Sequence, residues 1–251
     1  MRTILRLALV CGLALPLWSA SQAESVAAER TPPVVVELFT SQGCSSCPPA
    51  DSYLLELAGR EDVLALGFHV DYWDYIGWKD PYSSAEITQR QREYASIMGG
   101  RYVYTPQMVI HGSSEGVGSE KRSIEGKIAA ARKLPRVDLG LAYDAAAGQV
   151  TLSVPASPTK ESHALWLVVY DEAQTTKILK GENAGRTIKY AHVVRGLKRL
   201  DDWQGEAREI TLALADLRTD AAAPYACAVL LQSQETGRIL GVANLELPAG
   251  K

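Results

Sequence analysis

Between Val34 and Asp51 the chain runs through a strand, a turn, two cysteines and a helix, and no other stretch limits the fold as much. Val34, Val35, Val36, Leu38 and Phe39 make an apolar run of strand length, interrupted by Glu37. Gly43 marks a turn, Cys44 and Cys47 are separated by two serines, and Leu54, Leu55, Leu57 and Ala58 then recur at helical spacing up to Gly59. A thiol pair therefore falls at a strand's C-terminal end, where α/β folds place their chemistry. This spacing suits a redox-active dithiol, because an attacking sulfur needs a second sulfur close by to resolve the mixed disulfide. It serves equally for half of a zinc site or for an inert disulfide across a turn.

Strand and helix signals continue to alternate. Residues 63–70 read as a strand, and Asp71, Tyr72, Trp73, Asp74, Tyr75 and Trp78 form an aromatic and acidic loop. Residues 84–98 read as a helix capped by Ser84 and stopped by Gly99 and Gly100. Pro106 opens a short apolar run, the position a strand tolerates for proline. His111 and Gly112 supply a turn into a second short strand near 116–118, and residues 123–133 close the unit as a helix. This alternation predicts a mixed sheet covered by helices over residues 34–134. Beyond Pro135 the pattern changes to short strands at 137–143, 149–154, 164–170, 188–194, 208–214, 227–232 and 239–247. That pattern predicts a second, all-β sandwich-like domain over 135–251.

The order, with two cysteines after the first strand and Thr105-Pro106 opening the third, resembles the thioredoxin superfamily. More closely, the motifs at residues 37–51, 69–81 and 104–107, with weaker ones at 181–186 and 190–195, resemble a family of exported bacterial proteins described as a domain of unknown function with a thioredoxin-like fold. The resemblance implies an α/β thioredoxin-like domain and a cis bond before Pro106. That bond would bring the Thr105 backbone beside the cysteines, to orient an extended partner and keep metal from the sulfurs.

Roles follow for the individual residues. Cys44 is the expected nucleophile: it precedes the helix, is expected to be the more exposed sulfur, and a helix N-terminus stabilises thiolate. Cys47 would resolve. Pro48 and Pro49 place the helix start nearer Cys47 than Cys44, or distort it there. Glu37, inside an apolar strand, is a candidate proton relay to Cys47, as a buried acid on this strand is in thioredoxins. Asp71, Tyr72, Trp73, Asp74 and Trp78, with Gln107 from the Thr-Pro motif, are candidate contacts to an extended polypeptide or small ligand; the same rings also suit a domain interface. His69 and His111 match no compact zinc spacing, so no metal is assigned, and a dithiol that carries two electrons itself requires no organic cofactor. Cys227, between two alanines in a strand-like run, reads as a buried hydrophobe.

The N-terminus has the basic, apolar and small-residue regions of a secretory signal peptide, with cleavage expected after Ala23 and a loose arm at 24–33. Its apolar run is shorter than the ~20 residues of a membrane span, so no membrane insertion of the mature chain is expected. Cleavage would remove Arg2 and Arg6 and no acid, leaving 24 basic against 29 acidic side chains, a balance that disfavours nucleic acid as a partner. An exported chain sits where disulfides persist. The leading expectation is an exported thiol-disulfide oxidoreductase-like protein acting on a protein thiol or disulfide. The alternatives are a non-catalytic binding or assembly protein with a structural disulfide, and a metal carrier.

Overall fold

The computed structural model describes residues 32–159, 161–217 and 226–247. The expected signal peptide and most of the arm at 24–33 lie outside these residues. The order begins β1 (Val34–Thr40), α1 (Pro48–Ala58), β2 (Val63–His69), α2 (Ala85–Ile97), β3 (Gln107–Ile110), β4 (Ser114–Val117) and α3 (Lys121–Ala131). β1 pairs parallel with β2 and antiparallel with β3, so the ends of β1 and β2 and the start of β3 share one edge of the sheet. That is the edge the sequence pattern anticipates.

Both β1 and β2 are buried along their whole length, as strands covered on both faces must be. Period-2 alternation sends Val34, Val36 and Leu38 to the face packed by Ala50, Leu54 and Leu57 of α1 and by Ile124 and Ile128 of α3. Val35 and Phe39 face the other way, against Ile87 and Tyr94 of α2. Helix α1 starts at Pro48 with Cys47 as its N-cap, so the prolines occupy first-turn positions whose N–H groups have no partner within the helix. Ser84 caps α2 by accepting from Ile87 N–H at 3.3 Å, as expected.

The remaining strands are β5 (Gly140–Asp144), β6 (Gln149–Val154), β7 (His163–Lys177), β8 (Thr187–Trp203), β9 (Arg208–Ala213), β10 (Ala226–Ser233) and β11 (Ile239–Glu246). They do not form a body apart from the first four. The sheet runs β11-β10-β7-β8-β2-β1-β3-β4, eight strands in one mixed sheet. β8 joins it by lying parallel to β2 at Gly67↔Val193. A Cβ at Gly67 would stand 3.1 Å from the Ala191 carbonyl oxygen, so glycine is what lets β8 approach so closely. The sandwich-like element is smaller than expected. β5, β6 and β9 form a three-stranded sheet, and its Val150, Leu152 and Val154 pack on Leu165, Leu167, Val229 and Leu231 of the large sheet. The two-domain expectation fails because β7 and β8 are 15- and 17-residue strands, long enough to pack on the small sheet at one end and reach β2 at the other.

Candidate functional site

The loop after β1 is built to hold two sulfurs in a turn. Cys44 N–H donates to the Ser41 carbonyl and Cys47 N–H to the Cys44 carbonyl, both at 3.2 Å. Cys44 and Cys47 form a disulfide with Cα atoms 5.4 Å apart. Ser45 and Ser46 between them are exposed, yet both cysteines are fully buried. The expectation that Cys44 is the more exposed sulfur is therefore corrected. A segment far along the chain, the loop joining β7 to β8, is hydrogen-bonded to the backbone of this turn. Asn183 Nδ2 donates to the Gln42 carbonyl at 3.0 Å and to the Cys44 carbonyl at 2.8 Å, and Glu182 Oε2 accepts from Ser45 N–H at 3.1 Å.

The aromatic loop closes the other side. Trp73 Cβ and Ile76 leave only 3.0 and 3.1 Å to a Cβ at Gly43, so this turn needs glycine. Trp73 Nε1 donates to Thr105 Oγ1 at 2.8 Å, which links the cysteine turn to the cis peptide between Thr105 and Pro106. Trp78 Nε1 donates to Gln42 Oε1 at 2.8 Å. Tyr72 Oη donates to Gln91 Oε1 at 3.1 Å. Thr88 Oγ1 donates to Asp71, and Asp74 accepts from Asp80 N–H and Ser83 Oγ. Gln107 is held between Gln91 and Glu115 and is buried. These side chains are largely engaged within the protein. In this loop Tyr75 is the ring that faces solvent, at 81% exposure.

Glu37 is not brought to the cysteines. It shares a sheet face with Val35 and Phe39, opposite α1, and there its carboxylate accepts from Arg90 at 2.6 and 2.9 Å and from Tyr94 Oη at 2.7 Å. The Arg90 guanidinium, although buried, is held in its charged form by Glu37. A different carboxyl, Asp51, is buried on α1. Asp51 lies one turn after Cys47 on α1, and its N–H donates to the Cys47 carbonyl at 3.1 Å. Thr40 Oγ1 donates to Asp51 Oδ1 at 2.7 Å.

Beside Asp51 stand His69 from β2 and Tyr190 from β8, around a gap lined also by Leu54, Gly67 and Ala191 that leaves no room for a water molecule. Burial pushes the Asp51 carboxyl up to about 7, against the pull of His69 and the Thr40 hydroxyl. Burial also opposes charge on His69, but Asp80 at 2.7 Å, with Asp51 beyond it, holds the imidazole above its ordinary value. Asp80 is itself kept low despite burial by His69 and by N–H groups of Gln42 and Tyr82. Sequence reasoning weighed His69 as a metal ligand or a core residue and gave no role to Asp51, Asp80, Tyr190 and Asn183. The signals were present in the spacing of Asp51 four residues after Cys47, and in the motifs at 181–186 and 190–195.

His111 sits beyond β3, where it pairs with the start of β1, at the opposite end of that strand from the cysteines. Its Nδ1 accepts from Val35 N–H at 3.3 Å. Among the described residues no cluster of three or more His, Cys, Asp or Glu side chains is arranged to hold a metal ion. Nor is any helix among them long and apolar enough to cross a membrane.

Residues 35–232 match a family model described as "Protein of unknown function (DUF1223)". The chain is similar to a protein from Agrobacterium tumefaciens known by crystal structure, at 30% identity and a TM-score of 0.75, over 87% of this chain and 96% of that one. It shares its fold with HBP35 of Porphyromonas gingivalis at a TM-score of 0.57 and 13% identity, over 86% of this chain and 76% of that one. No curated protein matches the sequence.

Proposed function

The chain belongs to the DUF1223 family, and from that premise we propose that it is an exported protein with a thioredoxin-like core that exchanges disulfides through Cys44 and Cys47. The observation that carries this reading is the position of the pair. The sulfurs are joined at the N-terminus of α1, at the edge of the sheet where β1 and β2 end and Thr105-Pro106 opens β3. The strand order β2-β1-β3-β4 and the cis bond before Pro106 agree with the same reading.

In the reductive direction a partner thiolate attacks Cys44, the Cys44–Cys47 bond breaks, and Cys47 leaves as a thiolate. A second partner thiolate then attacks the mixed disulfide and leaves oxidised, so two electrons pass to the protein. In the oxidative direction Cys44 attacks a partner disulfide and Cys47 resolves it. The Asn183 loop must first move off Cys44. Gly181 and Gly185 flank Asn183 with φ of 77° and 82°, backbone that glycine adopts without steric cost. Tyr75 and Leu179, at 81% and 65% exposure, offer apolar contact beside the site to a polypeptide partner.

One observation favours a second reading, a binding or assembly protein with a structural disulfide: both sulfurs are completely covered. The reduction potential of the pair separates the two, measured by equilibrating the protein in graded glutathione or dithiothreitol buffers and counting alkylated thiols by mass. A value between about −120 and −270 mV supports exchange, and one below about −300 mV makes the bridge structural.

A further inference from the structure

A cavity of about 290 Å³ lies between α2 and the strands that extend the sheet beyond β2. Its origin is in the sequence of β7. Along one face of that strand Trp166, Val168 and Tyr170 present large side chains, whereas Ala164, two positions before Trp166, has only a methyl group. The space left there is walled by Arg90, Tyr94 and Ile97 of α2 on one side and by Trp166, Arg199 of β8 and Gln232 of β10 on the other. Helix α2 begins at the cysteine edge of the sheet, where Ser84 N–H donates to the His69 carbonyl at 3.3 Å. Its second half lines the cavity, which therefore lies toward the other end of the sheet from the disulfide.

The hydrogen-bonding capacity of this lining is unevenly spent. A guanidinium carries five N–H donors, and that of Arg90 is only 3% exposed. Its Nε and Nη2 donate to Glu37 and Tyr94, and Nη1 donates once, to Gln232 Oε1 at 3.2 Å. One Nη1 N–H is left over. Trp73, Trp78 and Trp203 each give their indole N–H to an oxygen. Trp166, whose ring centre lies 5.4 Å from the Arg90 guanidinium carbon, has no acceptor for its own among the described residues. Arg199 stands directly across from Trp166 on the neighbouring strand and spends only Nη2, on Asp202 and Gln234. Gln232 Nε2, by contrast, is fully used by Tyr94 Oη and the Gly237 carbonyl. Glu93, the carboxylate of the lining, belongs to the α2 wall and accepts from Gln89 at 3.2 Å. The unspent groups at Trp166 are therefore all N–H donors, and the nearest of them across the sheet carries a positive charge.

We propose that this cavity binds a small carboxylate carrying an apolar body about the size of one aromatic ring. Water meets such donors one at a time, whereas a carboxylate offers about four lone-pair positions and accepts from several N–H groups at once. Arg199 supplies the charge. Its ion pair with Asp202 is about half exposed on both sides, so rearranging it costs little. The charge of Arg90 is already matched by Glu37, and that pair fixes the remaining N–H in place. Trp166, Ala164 and Ile97 receive the apolar body. An apolar cavity of about 150 Å³ accepts benzene, so this one has room for a ring and its carboxylate. The site shares no residue with the disulfide edge and does not depend on whether Cys44 and Cys47 exchange.

The test is a titration of phenylacetate into nitrogen-15-labelled protein, following the Trp166 indole N–H resonance, which Trp166→Phe identifies. Phenylacetamide, of the same shape without the charge, is the comparison. Phenylacetate should shift the resonance saturably, and phenylacetamide should bind about tenfold more weakly or worse, the margin of a hydrogen bond to a charged group. Arg199→Met keeps the apolar stem at an exposed position and should weaken phenylacetate by about the same factor while leaving phenylacetamide unchanged. Ala164→Leu should abolish binding of both by filling the cavity. Calorimetry reads the same affinities if Trp166→Phe does not fold. Absence of saturable phenylacetate binding, equal affinity for acid and amide, or acid binding untouched by Arg199→Met would each overturn the assignment.

Discussion

Asn183 donates its side-chain amide to the carbonyl of Cys44 at 2.8 Å, bridging 139 residues of sequence. The same amide reaches the Gln42 carbonyl at 3.0 Å, so one buried side chain from the β7–β8 loop holds the carbonyls of the residues on either side of Gly43. Two hydrogen bonds at about 1 kcal/mol each set the scale for lifting this loop. Asn183→Ala should speed reduction of the disulfide by a small phosphine about tenfold or more, read by alkylation and mass, with only a modest fall in melting temperature. An unchanged rate would mean that this loop does not limit access to the sulfurs.

Glu37 holds Arg90 in a buried pair that Tyr94 and Gln232 complete. Removing one partner of such a pair leaves the other charge uncompensated, at a cost of roughly 3–5 kcal/mol. Glu37→Gln should therefore lower stability in urea unfolding. It should leave the pH profile of Cys47 reactivity unchanged, because Glu37 faces α2 rather than α1. A shift in that profile would restore Glu37 as a relay.

Stability should fall as pH rises above about 6.5. The folded state holds the His69 proton above the ordinary imidazole value through Asp80 and Asp51, although burial opposes it. The stabilisation is full below the unfolded pKa of about 6.5 and is lost as pH climbs through the folded one. His69→Gln should flatten melting temperature across this window. His111 acts with the opposite sign and in acid: burial, with Arg136 and Arg238, brings it down to about 3, so its contribution is lost as pH falls from about 6.5. His111→Asn should flatten that limb if the variant folds.

Cys227 lies in the core between the two sheets, and burial pushes its thiol up to about 11. A thiol both covered and protonated does not react. After reduction under native conditions, alkylation should count two thiols, with the third appearing only on unfolding. Three thiols in the native protein would place Cys227 within reach of exchange chemistry.

The local order of the first half was legible in the sequence because each element there is specified by near neighbours. The apolar run of β1, the cysteine turn, the first-turn prolines of α1, the Ser84 cap and the Pro106 strand start all act over a few residues. The family was legible from the same motifs. What the sequence could not determine is which long-range pairings form, since period-2 strands are equally suited to a separate sandwich or to a shared sheet. Tertiary structure decided that β8 lies against β2 at Gly67, and this one pairing brought Tyr190 to Asp51 and Asn183 to Cys44. It also decided the partner of Glu37: a carboxyl on a fully buried strand needs a counter-charge, and strand alternation turned Glu37 toward Arg90 and away from the sulfurs.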